Sequence, residues 1–260
     1  MRLNISSISV AILTTMPLFN GAIAADFPEY ELAITNTALH TTIDPTPLIT
    51  LQGSYVRMVT YTNENDFKTT DTTLGTLTWT AVESELKPLC MQYVAQHHPT
   101  HKQLTLWLAQ LVGVSPYQTN AYRFVVMDVP IIQAYYGAPA SGIGIFRPCT
   151  DPRIGPHADG SPICPAQMNL ADTHIASDYK TWFINNSMTS YTLTRETDDK
   201  NHYIGAPWTG YGYTYNWNPE VKSVYGVSEF VVLKNTPITV LPHPKDPKTP
   251  YLTPEEYCAG

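Results

Sequence analysis

Charge is scarce in this chain: Asp, Glu, Lys and Arg make up 14% of its 260 residues, against roughly a quarter in an average globular protein. With 43% hydrophobic residues, the composition excludes a disordered chain and a coiled coil. The 14 Gly and 22 Pro follow no triplet period, which excludes collagen. The 15 Lys and Arg are scattered and outnumbered by 22 Asp and Glu, for a net charge of −7. No basic stripe exists to neutralise a run of phosphates, so nucleic acid is not an expected partner. No apolar run reaches the length of about 18 to 20 residues that spans a bilayer, so no membrane span is expected in the mature chain. A glycine-rich dinucleotide fingerprint is missing too, because the third glycine of Gly142-x-Gly144 would fall at Arg147.

The first residues that are present set the compartment. Arg2 begins a short positive segment, residues 5–19 are largely apolar, and Ala22-Ile23-Ala24 supplies the small residues of a signal-peptidase site. Asn4, Ser6, Ser7, Ser9, Thr14, Thr15 and Pro17 interrupt the apolar run, which argues for a cleaved signal peptide at 1–24 over an anchor. A periplasmic or secreted protein is expected. Cysteines there pair as disulfides. Cys90, Cys149, Cys164 and Cys258 allow three pairings, and the Pro-, Gly- and Asp-rich segment 148–165 favours Cys149 with Cys164, leaving Cys90 with Cys258. No C-x2-C or H-x3-H spacing accompanies them, and no metal site is expected.

Residues 29–62, rich in Thr, Leu, Val and Tyr, read as short strands, the best at 54–62. A second strand is expected at 74–82, around Trp79. Pro88 suits the first turn of a helix running to His98, where Pro99 stops it. Thr100 and Gln103 form a capping box, and Leu104, Trp107, Leu108, Leu111 and Val112 then mark one buried stripe ending at Gly113. A strand at 122–129 follows. The segment 131–167 is a long loop, and Asp172 can cap a second main helix with Ile175, Tyr179, Trp182 and Phe183 on its apolar face. Residues 208–217 alternate as a strand, 227–233 and 237–241 read as a hairpin, and 242–260 as an extended proline-spaced tail tethered by Cys258. The sum is one α+β domain at 25–241, a mostly antiparallel sheet with two main amphipathic helices and disulfide staples.

Tyr211, Tyr213, Tyr215 and Trp217 fall on one side of the 208–217 strand. With Trp208 and Arg147 they are the candidate binding residues: aromatic rings in a row form a platform for sugar rings, and a glycan or an envelope protein is the expected partner. The alternative is that the row is core. His97, His98 and His101 resemble a metal cluster, but Pro99 breaks the helical spacing that would align them. Ser141 lacks the glycines of a nucleophile elbow. Arg147, Asp151 and Arg153 surround Cys149 as a polar lip or a salt-bridged anchor. Glu229 stands in an otherwise apolar strand, either at a sheet end or as a buried acid with a raised pKa. It is the first catalytic candidate, and no cofactor is implied.

Two resemblances bear on these residues. The strand acid Glu229, followed by Val-Val-Leu and a Thr-Pro turn, is loosely similar to the terminal strand of ADP-ribosyltransferases, which would imply a catalytic Glu229 and, on an early strand, Arg57. Val227 departs from that family, which carries Gln or Glu two positions before its glutamate. More extensively, residues 104–116, GIFRPCTDP at 144–152, PWTGYGYTYNW at 207–217 and GVSEFV at 226–231 resemble a family of uncharacterised secreted or periplasmic proteins of proteobacteria. That resemblance spans most of 79–240 and implies export and a bacterial source, with no activity and no catalytic residue.

Overall fold

The computed structural model describes residues 27–39, 49, 51–117, 119–131, 144–148, 177–192 and 205–259. Five helices, α1 (Pro28–Leu39), α2 (Glu83–His97), α3 (His101–Val112), α4 (Ser177–Ser190) and α5 (Pro254–Cys258), accompany β1 (Tyr55–Thr62), β2 (Thr78–Val82), β3 (Arg123–Pro130), β4 (Ile145–Phe146), β5 (Tyr213–Tyr215), β6 (Tyr225–Val232), β7 (Thr239–Val240) and β8 (Tyr251–Leu252). The strands run β4-β6-β2-β1-β3-β7, with β5 also on β6 and β8 also on β3. Every pairing is antiparallel, so the fold is the expected α+β, mostly antiparallel class.

Helix α3 forms where its sequence dictates. Thr100 and Gln103 close the capping box at its start, and Gly113 in the left-handed region closes its end. Helix α2 corrects the reading of Pro88: it starts five residues earlier, at Glu83, and Pro88 lies inside it. Helix α1 replaces the expected strands at 29–39. Its buried residues Tyr30, Ala33, Ile34 and Thr37 follow the i, i+3, i+4, i+7 rule.

Both sheet faces are covered. On one face, Val59, Ala81, Phe124, Val126 and Val227 pack beneath Leu86, Leu104, Leu108 and Tyr257 from α2, α3 and α5. On the other, Met58, Val82, Met127, Phe230 and Val232 pack beneath Leu51, Phe67, Leu74 and Ile238 from the loops. Cys90 of α2 is bonded to Cys258 of α5 across 168 residues, one of the two expected bridges. Cys149 and Cys164 lie outside the described residues.

Two further expectations are corrected. No 227–241 hairpin forms. β2 occupies one edge of β6 along 229–232 and β4 the other at 231–232, so the chain leaves through Asn235 and Thr236, bonded to Leu74, and β7 pairs with β3 instead. The tail is also more than an extended tether. Tyr251 and Leu252 add to β3, Thr253 and Glu256 form a second capping box on α5, and His101 Nδ1 and Glu255 Oε1 meet at 2.6 Å.

Candidate functional site

The aromatic row is core. Tyr211, Tyr213, Tyr215 and Trp217 are all at most 4% exposed and pack against Tyr30, Ala33 and Ile34 of α1 and Ala109 of α3. The expected strand 208–217 is shorter than its alternation suggested. Only Tyr213–Tyr215 is strand, and the residues before it form a tight turn in which Trp208 bridges to Thr214. Gly210 and Gly212 take the left-handed conformation this turn requires. Thr209 closes it, its hydroxyl donating to Tyr213 O at 2.7 Å and accepting from Tyr211 N at 3.1 Å. Trp217 Nε1 donates to Ala109 O and Val114 O, the polar satisfaction a buried indole needs. The platform for glycans therefore does not exist as an exposed surface.

The same turn delivers Trp208 to a cavity. Between α2 and α3 on one side and α4 on the other, the sheet face leaves a hollow of about 360 Å³, within the range of small-ligand sites, roughly 300 to 1,000 Å³. Its walls are mostly apolar and include Trp79, Trp208, Tyr61 and Tyr122, while the exposed Asn63 and Glu64 lie at its rim. Glu229 lines its interior. Strand register explains the space around this acid: Glu229 pairs with the small Ala81, which in turn pairs with Val59.

Glu229 is enclosed by protein yet keeps some accessible surface toward the cavity. Trp208 Nε1 donates to its Oε2 at 3.2 Å and is its hydrogen-bond partner among the described residues. Desolvation pushes the carboxyl up to about 8, and the Trp208 bond offsets only part of that rise. Trp208 is itself held in place: Tyr191 donates to its carbonyl at 3.1 Å, and Phe183 of α4 packs on its ring at 4.7 Å.

The other candidates are placed elsewhere. Arg57 faces Asp128 across β1 and β3, donating to both carboxylate oxygens at 2.8 and 3.1 Å, with Glu83 at 3.9 Å. By strand spacing its Cα is about 12 Å from that of Glu229, two strands across and two residues along. The pairing implied by ADP-ribosyltransferase resemblance is therefore not assembled. Arg147 lies over the Phe230 ring at 4.8 Å, on the opposite sheet face from Glu229, and donates to Ile49 O. Asp151, Arg153 and Ser141 lie outside the described residues. His97 packs on Tyr93, His98 ends α2 in the left-handed region, and His101 meets Glu255; among the described residues no group of three or more metal-ligating side chains forms.

A second partly buried acid escaped sequence reasoning. Glu85 Oε2 accepts from Ser228 N at 2.9 Å, the ladder N–H left over where β2 turns into α2. Burial raises its pKa, partly offset by the Ser228 bonds and the Arg147 charge. The signal available was an acid in the first turn of a helix that directly follows a strand. Among the described residues no helix is long and apolar enough to cross a membrane, which with the Cys90–Cys258 bridge is compatible with an extracytoplasmic protein. Comparison with protein-family models, with curated proteins and with solved structures found no match to this chain.

Proposed function

We propose that this is an exported, periplasmic or secreted small-molecule-binding protein, allied to the proteobacterial secreted proteins its motif blocks resemble, with the cavity beneath α2, α3 and α4 as its site. One observation carries the reading: a carboxyl faces a mostly apolar cavity with a single indole N–H as its described partner. Placing an acid where it is desolvated and under-bonded costs stability. A ligand that engages the acid offsets that cost.

Catalysis finds less support. Among the described residues no His, Lys or Arg lines the cavity, so none of them stands beside Glu229 to share acid–base work.

The test is thermal unfolding of the oxidised protein against a panel of small amines, alcohols and carboxylic acids on aromatic or aliphatic bodies. A ligand present at 100 times its Kd stabilises the fold by about 2.7 kcal/mol. Asn186→Trp, which plugs the lining from α4, is expected to abolish the shift while circular dichroism shows the variant folded. No shift with any compound, or a shift that survives the plug, overturns the reading.

A further inference from the structure

The geometry points to a monovalent organic cation, an alkylammonium group on a compact apolar body, as the occupant of this cavity. The inference rests on the reading that the cavity binds a small molecule and names the chemical class it takes.

Charge is the first observation. Among the described residues the lining holds two carboxyl groups, Glu229 and, at the rim, Glu64, and no Lys, Arg or His. An anionic ligand would be desolvated there with no counter-charge and with an acid facing it. Aromatic walls are the second. The Trp79 and Trp208 rings stand 6.2 Å apart at 76°, so the walls they form do not lie in one plane, and an indole face attracts a cation within about 6 Å of its centroid. Trp182 packs against both indoles, 5.7 Å from Trp79 and 6.0 Å from Trp208, and the cation–ring contacts of the described residues, Lys87 over Tyr257 and Arg147 over Phe230, involve neither of the two. A hard divalent metal ion fits the described lining less well. Calcium or magnesium takes about six or more oxygen ligands, carboxylates prominent among them, whereas the described lining supplies two carboxyls, Glu229 and the rim Glu64, beside hydroxyl and amide groups.

Binding moves one proton. The neutral Glu229 carboxyl releases H+ to solvent as the ammonium arrives, leaving a carboxylate against a cation. Around Glu229, β2 presents Trp79, Thr80 and Ala81 without charge, Glu85 of α2 is engaged by Ser228, and Tyr191 beyond α4 is kept neutral because burial raises its pKa further. A cation of fixed charge adds no titration of its own, and the Glu229→Gln variant isolates the contribution of Glu229. The cation's affinity is expected to rise roughly tenfold from about pH 7 to about pH 9.

The experiment titrates the oxidised protein with benzyltrimethylammonium, benzyl alcohol and phenylacetate, followed by calorimetry, in wild type, Glu229→Gln and Asn186→Trp. The cation is expected to bind at least about tenfold more tightly than the alcohol, and phenylacetate least. Glu229→Gln is expected to weaken the cation about tenfold, leave the alcohol within about twofold, and abolish the rise with pH. Alcohol or phenylacetate binding as tightly as the cation, and blocked by Asn186→Trp, overturns the charge class while leaving the cavity reading intact. Binding of none of the three overturns both. Should Glu229→Gln fail to fold, the wild-type pH profile decides: a flat one overturns the inference.

Discussion

Replacing Glu229 with Gln is expected to stabilise the protein at neutral and alkaline pH. Folding raises this carboxyl from 4.5 to about 8, so the folded state holds a proton that the unfolded chain has lost. The sign follows: the contribution of Glu229 is most favourable below about pH 4.5 and declines as pH rises toward about 8, by about 1.4 kcal/mol per pH unit. The full interval corresponds to roughly 5 kcal/mol. Solvent reaching the cavity-facing surface reduces this, so the expected gain for Glu229→Gln near pH 7.5 is about 2 kcal/mol. A gain of that size raises Tm by about 4 to 8 °C. Urea unfolding followed by tryptophan fluorescence, from about pH 5 to about pH 8.5, measures it. Glu85 is also raised by burial, but it is present in both proteins and cancels in the difference. A variant that is less stable than wild type at pH 7.5, or a difference independent of pH, refutes the reasoning.

Tyr213→Ala is expected to cost about 3 to 5 kcal/mol in urea unfolding, because the side chain is 1% exposed; a platform residue would cost almost nothing. Cys90→Ser with Cys258→Ser removes a bridge across 168 residues and is expected to cost up to about 5 kcal/mol, read as a lowered denaturation midpoint matched by reduction of the wild type. Gly226→Ala would drive a Cβ into Thr214 Oγ1 and Leu111 O, which are bonded to each other at 2.8 Å. A loss of at least about 2 kcal/mol is expected from thermal or urea unfolding; a neutral outcome would mean that this contact can yield.

Much of the fold was legible because its signals are local. The capping box at Thr100, the stripe from Leu104 to Val112 and the stop at Gly113 all act within one helix, and α3 appears where they put it. The apolar run containing Glu229 became β6 in the same way. Helix α1 was hidden because its buried stripe includes Ala33 and Thr37, weak as apolar markers, in a stretch whose Thr and Leu suggest strands. Pro88 misled because a proline at a helix start is the commoner case, whereas here it follows a full turn of α2. The aromatic row illustrates the limit. Its alternation placed Tyr211, Tyr213, Tyr215 and Trp217 together, and they are together, but what covers them is Tyr30 and Ile34 from nearly 180 residues away. Burial of a strand face is a tertiary fact. The same holds for Glu229: its place in an apolar strand marked it as unusual, while the cavity, Trp208 Nε1 and the distance from Arg57 depend on a glycine turn and a register that no local pattern specifies.

The most direct measurement is the titration of the Glu229 side-chain carboxyl by carbon-13 NMR, alone and with benzyltrimethylammonium, assigned against Glu229→Gln. The account predicts a midpoint of about 8 in the protein alone and a fall of at least about one pH unit with the cation bound. A midpoint near 4.5, unmoved by the cation, would contradict it.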